Sequence, residues 1–141
     1  MTELDRALQI MAAAHVGQLD KGGEPYVLHP IRVMLRVESA EERIVALLHD
    51  VVEDSSITLS SLKQEGFSHE ILVAVGCLTK KDGEPYDDFI RRISLNKLAT
   101  KVKIADLKEN LDTTRLTELT EHDLRRIQKY HRALNTLVHG L

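Results

Sequence analysis

The segment Ser39-Ala-Glu-Glu-Arg-Ile-Val-Ala-Leu-Leu-His-Asp-Val-Val-Glu-Asp54 decides how this chain folds. Ser39 followed three residues later by Glu42 is a capping box, in which each side chain satisfies a backbone N–H that the first helical turn leaves without a partner. The apolar run from Ile44 to Leu48 comes next, so a buried helix is expected from Ser39 to Asp54. On such a helix His49, Asp50, Glu53 and Asp54 fall within a stripe of roughly 140°, opposite Leu47, Leu48, Val51 and Val52. Burying an imidazole among carboxylates is costly unless something compensates. Glu53 and Asp54 are also expected at the C-terminal end of the helix, where free carbonyls and the macrodipole repel negative charge. A bound cation removes both penalties, and breaches of local rules concentrate at functional sites.

Helix signals continue on either side. Thr2 with Asp5 resembles a capping box, and Leu4, Leu8 and Met11 recur at helical spacing until Gly17. Pro30 suits the first position of a second helix carrying Ile31, Met34 and Leu35, which places His29 at that helix's mouth in an extended conformation. Thr58 is expected to cap a short helix ending at Gly66, and Ser68 another carrying Ile71, Leu72, Val75 and Leu78. Further helices are expected after Pro85, with Phe89, Ile90 and Ile93, and from Asn96 to Leu111. Thr120 with Asp123 caps the last, whose Leu124, Ile127, His131, Leu134 and Val138 form one stripe before Gly140. The expected fold is all-α, with roughly seven or eight helices around one core.

Composition agrees. The chain has 141 residues, 21 of them Leu, against five aromatics, seven Gly and three Pro, a balance that favours long helices in one domain spanning residues 1–141. A net charge of −3 argues against a surface built for nucleic acid or anionic lipid. Cys77 is the single cysteine, so no intrachain disulfide or thiolate metal cluster is expected. The acidic, amphipathic N-terminus lacks the form of a secretion signal, and together these features point to the cytoplasm and away from membranes.

A metal site needs ligands from more than one segment. His29 offers one. Asp106 and Asn110 stand one turn apart in an otherwise apolar stretch and point the same way. His29, His49, Asp50 and Asp106 supply two nitrogens and two oxygens, a set suited to Mn²⁺, Fe²⁺ or Zn²⁺. The dipeptide His122-Asp123 is different, since there Asp123 has a capping role. His15, on an Ala-rich face, reads as a packing residue, while His69, His122, His131 and His139 read as surface or core-edge residues. Cys77 reads as a buried hydrophobe, and Lys80-Lys81 and Arg91-Arg92 as ordinary solvated charge by default, with help in holding phosphates near the site as the alternative for either pair.

The order His29, His49-Asp50, Asp106 resembles the HD phosphohydrolase superfamily. Ala14 to Gln18, Lys21 to Tyr26, His29-Pro30, Leu47 to Asp54, Thr79-Lys80, Gly83 to Tyr86 and Lys103 to Asn110 look like the hydrolase domain of RelA/SpoT-type alarmone enzymes. The resemblance implies a single HD-domain helical bundle and a stand-alone small hydrolase. It implies Mn²⁺-dependent removal of the 3′-pyrophosphate from ppGpp or pppGpp, with another divalent metal as a variant. His29, His49, Asp50 and Asp106 are then the metal ligands, Glu53 and Asp54 assist the attacking water, and Lys21, Asn110 and Thr113 contact the nucleotide. Gly-Glu-Pro-Tyr occurs twice, at 23–26 and 83–86, and the resemblance implies a shared turn and not a duplication. One position departs from the family. Where many members carry an Arg before the first of these turns, this chain has Asp20, which leaves open another nucleotide or phosphorylated metabolite as substrate. A non-catalytic module that senses a nucleotide is the third reading.

Overall fold

Two of the helices that position the candidate ligands are also the centre of the packing. The structure is a computed structural model that describes residues 1–140. Its helices are α1 (Glu3–His15), α2 (Leu28–Leu35), α3 (Ala40–Leu48), α4 (Val51–Asp54), α5 (Leu59–Gln64), α6 (His69–Cys77), α7 (Tyr86–Ser94), α8 (Lys97–Asn110) and α9 (Glu121–His139). Among the described residues there is no strand, only an isolated bridge between Leu19 and Pro25. Helix α3 packs on α1, α2, α6 and α8, while α8 also takes α7 and α9. Ile44 to Leu48 are all buried, and with Val33, Val51, Ile71, Ile93, Val102 and Leu107 they form one core. None of the helices is long and apolar enough to cross a membrane.

The capping signals are realised. Thr2, Ser39, Thr58 and Thr120 each accept from the N3 amide of their helix with the reciprocal bond in place, and Ser68 and Asn96 cap α6 and α8. Gly140, with φ +84°, ends α9 in a conformation that only glycine adopts without strain.

Several expectations need correction. The helix expected from Ser39 to Asp54 is interrupted: α3 ends at Leu48 and α4 begins at Val51. His49 Nδ1 lies 2.5 Å from Ala46 O, the carbonyl a continuous helix would bond to the Asp50 amide, and so the imidazole displaces that rung of the ladder. With α3 and α4 counted as one interrupted helix, the described residues hold eight helices, in agreement with the expected number. Helix α2 starts two residues earlier than expected, so His29 lies inside it and is not extended. A proline in the first turn removes only an amide that has no intrahelical acceptor, and turn bonds from Leu28 to Pro25 O and from His29 to Tyr26 O carry the chain into the helix.

The buried stripe of α9 is Ala133 and Leu137, flanked by partly buried Tyr130 and Leu134, while Leu124, His131 and Val138 are exposed. The helix rests mainly on α7 and α8, so only a narrow face is covered. Cys77 is half-buried, and Arg92 is no free surface charge. Its guanidinium chelates Glu84 at 2.9 and 3.0 Å and donates to Gly76 O and Thr79 O. The two Gly-Glu-Pro-Tyr turns share this device: Glu24 pairs with Arg32 and Glu84 with Arg92, each eight residues on. Gly23 and Gly83 both have positive φ, which explains the repeated glycine.

Candidate active site

Because α3 stops where the imidazole takes the Ala46 carbonyl, His49 and Asp50 sit at the end of a buried helix, facing the middle of α8. His29 reaches the same point from the first turn of α2. The ligand atoms of His29, His49 and Asp50 all lie within 4.8 Å of one another. Asp106 joins from α8, with Oδ1 2.7 Å from His29 Nε2 and 3.4 Å from His49 Nε2. All four expected metal ligands are therefore brought together from three helices.

The proton arithmetic at His49 indicates what this cluster is suited to hold. Nδ1 faces a carbonyl and must carry the hydrogen, which leaves a lone pair on Nε2. That nitrogen is buried, has no aligned hydrogen bond, and stands 3.1 Å from Asp50 Oδ2 and 3.4 Å from Asp106 Oδ1. A lone pair directed at two carboxylates is repelled unless a positive charge lies between them. Burial alone would keep the imidazole neutral, yet the two carboxylates outweigh it and raise the His49 pKa well above its usual value. The same field that attracts a proton attracts a divalent cation, and the mixed nitrogen and oxygen donors fit one of borderline softness.

Three of the four candidate ligands are also held from outside the cluster: His49 by the Ala46 carbonyl, and Asp50 and Asp106 by side chains, the support that metal sites commonly have. Tyr26 Oη donates to Asp50, and its ring packs edge-on to His15 at 4.9 Å and tilted against His29 at 5.5 Å. Asp106 receives Lys103 Nζ at 3.0 Å and Asn110 Nδ2 at 3.2 Å. Burial opposes the charge on Lys103, but Asp106 holds it protonated, above the usual lysine range. His15, read from sequence as a packing residue, is fully buried, bonds Gln18 through Nδ1 at 3.0 Å and supports Tyr26. Tyr26→Phe, which keeps the ring packing and removes the donor, is expected to weaken divalent-metal affinity about tenfold, read by isothermal titration.

Glu53 and Asp54 lie on α4 beside this cluster, open to solvent but partly desolvated by their neighbours. Glu53 Oε1 accepts the Lys80 amide at 2.5 Å. Burial, and then the neighbouring negative charges, raise the pKa of both carboxyls. The penalty expected from a long helix dipole is smaller than the sequence suggested, because α4 is a single turn. Asp50, Glu53, Asp54 and Asp106 open into one cavity of about 590 Å³, within the range that accepts a nucleotide-sized ligand.

Lys21, Asn110 and Thr113 line that cavity, so every candidate contact named from sequence borders it. Sequence reasoning missed several others there: Lys103, Tyr86, Arg115, Arg126, Lys129 and Tyr130. Lys103 carried a legible signal, a cation three residues before Asp106 in an apolar stretch. The residues of α9 carried none, since their place depends on how that helix docks. Lys80, read as ordinary solvated charge, also borders the cavity. His69, His122, His131 and His139 are exposed, as expected.

Asp20 does not play the part of a base-contacting residue. Its Oδ1 accepts the Gly22 and Glu24 amides at 2.9 Å each, and its Oδ2 takes Arg115 Nη1 at 3.0 Å. It closes its own turn. Burial works against ionisation, but the two amides and Arg115 hold the carboxyl below the usual Asp range.

No protein-family model matches the chain. Over 98% of its length it is 29% identical to a probable GTP pyrophosphokinase of Mycobacterium leprae, of which it covers 19%. It is 30% identical, over 79% of its length, to a guanosine-3′,5′-bis(diphosphate) 3′-pyrophosphohydrolase of Aquifex aeolicus, of which it covers 18%. A protein of the same description from Borreliella burgdorferi is 38% identical over 53% of the chain. The chain thus spans less than a fifth of the length of these curated relatives. In fold it is similar to a solved structure described as a metazoan ortholog of SpoT that hydrolyzes ppGpp, with a TM-score of 0.78 at 22% identity, covering 99% of this chain and 87% of that one.

Proposed function

The chain belongs to the RelA/SpoT-type branch of the HD-domain family, and on that basis we propose that it hydrolyses the 3′-pyrophosphate of ppGpp or pppGpp, releasing pyrophosphate and GDP or GTP. The observation that carries this reading is the orphaned, buried Nε2 of His49 among Asp50, Asp106 and His29, in one cavity with Glu53 and Asp54. We assign His29, His49, Asp50 and Asp106 as ligands of a divalent ion, with Mn²⁺ as the native metal. Such an ion supplies positive charge against the phosphoryl oxygens and acidifies water.

The protein's own groups do the rest. Glu53 and Asp54 orient the attacking water and receive its proton, a task suited to carboxyls whose pKa is raised by burial. Lys21, Lys80 and Lys129 border the cavity without an ion-pair partner among the described residues, and hold the phosphates. Burial and then Lys103, Lys80 and Arg126 lower the pKa of Lys129, the mark of a cation cluster that an anion would relieve. Asn110, bonded to Asp106, and Thr113 complete the nucleotide contacts. The carboxylate pair favours catalysis over a sensing module, which needs ligands but no proton acceptor. Residues 1–141 act as one HD-domain unit in the cytoplasm in this reading.

The direct test is anion-exchange analysis of ppGpp incubated with the Mn²⁺-loaded protein. GDP and pyrophosphate are expected in equal amounts, to vanish with EDTA and to return with added Mn²⁺. Intact ppGpp in the presence of Mn²⁺ overturns the assignment.

A further inference from the structure

Arg115 lies in the segment between α8 and α9 and borders the same cavity as the His/Asp cluster. One of its nitrogens is anchored: Nη1 is 3.0 Å from Asp20 Oδ2 and 3.4 Å from Glu24 Oε2. Its Nε and Nη2 bond no other group among the described residues. The guanidinium is therefore fixed at one corner, with a planar pair of donors left for a ligand. Beside it are Leu19, 67% exposed and pinned by the bridge to Pro25, and Leu116, both lining the cavity. A large apolar side chain left open next to a flat cation suits a planar heterocycle.

Charge decides between a base and a phosphate at this point. Arg115 and Arg32 are matched by Asp20 and Glu24, so the network around Arg115 is neutral. Lys21, Lys80 and Lys129 have no such partners, and they are the better place for phosphate. What Arg115 offers is donor geometry in place of net charge. Two parallel donors match the O6 and N7 acceptors of guanine, whereas adenine presents an amino donor in the place of O6.

We propose that Arg115, held by Asp20 and Glu24, is a specificity-determining residue that reads the O6/N7 edge of a purine and selects guanine over adenine nucleotides. The inference rests on the hydrolase reading for the placement of the nucleotide, but binding tests it without turnover. Isothermal titration of the Mn²⁺-loaded protein with GDP and with ADP is expected to show tighter GDP binding. Arg115→Ala is expected to reduce that preference about tenfold. Arg115→Lys, which retains the charge and the ion pair with Asp20 but not the fork, is expected to lose the preference as well and guards against a folding defect in the alanine variant. Equal affinity of the unmodified protein for the two nucleotides, or variants that weaken both alike, overturns the proposal. A protein that leaves ppGpp intact yet prefers GDP, and loses this preference in Arg115→Lys, refutes the hydrolase reading and upholds the role of Arg115.

Discussion

Asp106→Asn is expected to lower the melting temperature of the metal-free protein by about 10 °C, and adding Lys103→Met is expected to return most of that loss without restoring metal affinity. Lys103 and Asp106 are 13% and 6% exposed, and their charged atoms are 3.0 Å apart. Removing one partner of a buried pair leaves the other charged and unsolvated, at a cost of about 3–5 kcal/mol. A smaller opposing effect comes from Asp50, whose carboxylate is relieved of a like charge when Asp106 is neutralised. The lower end of that range is therefore expected. With Met at 103 the stranded cation is gone, and a thioether packs where the ammonium now lies 5.4 Å from the Phe89 ring centre. Calorimetry follows the stability and titration with Mn²⁺ the site. Recovery of metal binding in the double variant would remove Asp106 from the ligand set.

Glu53→Gln is expected to lower kcat by about a hundred-fold or more while leaving metal affinity within a few-fold of the parent. The amide keeps the size of the side chain and an oxygen for the Lys80 N–H, so the turn after α6 is retained. Only the capacity to take a proton is lost. The acid limb of the pH–rate profile carries the sign of the effect: the carboxyl must be ionised to act as a base, and its pKa is raised. Activity of the parent protein should therefore rise with pH through a value above that of an ordinary glutamate, and the variant should lose the part of this rise that Glu53 supplies, keeping only the part due to Asp54. Unchanged kcat assigns Glu53 to the support of the Lys80 turn instead.

The candidate ligands were legible because most of them break a local rule. His49 and Asp50 interrupt an apolar run, Asp106 does the same in α8, and His29 stands beside a proline, although the helix there begins two residues earlier than that proline suggested. The partners behind them were less visible. Tyr26 and Tyr86 stand in a repeated tetrapeptide that reads as a turn, and nothing in its spacing says that both rings border one cavity. Asp20 was legible only as a departure from a family pattern. Its function follows from Arg115, 95 residues later, which no periodicity connects to it.

Local physics settled the helices and their caps, since a serine or threonine with an acid three residues on, or a glycine at positive φ, acts within a few residues of itself. It also marked the candidate site, because imidazole and carboxylate in an apolar segment need a counter-charge wherever the chain takes them. Only the tertiary structure decided that α3 breaks at His49 and which face of α9 is covered. It alone set Lys103 against Asp106, gathered lysines from three separate segments around the cavity and joined Asp20 to Arg115. Those outcomes depend on contacts between residues far apart in sequence, and their energies arise only when the helices dock.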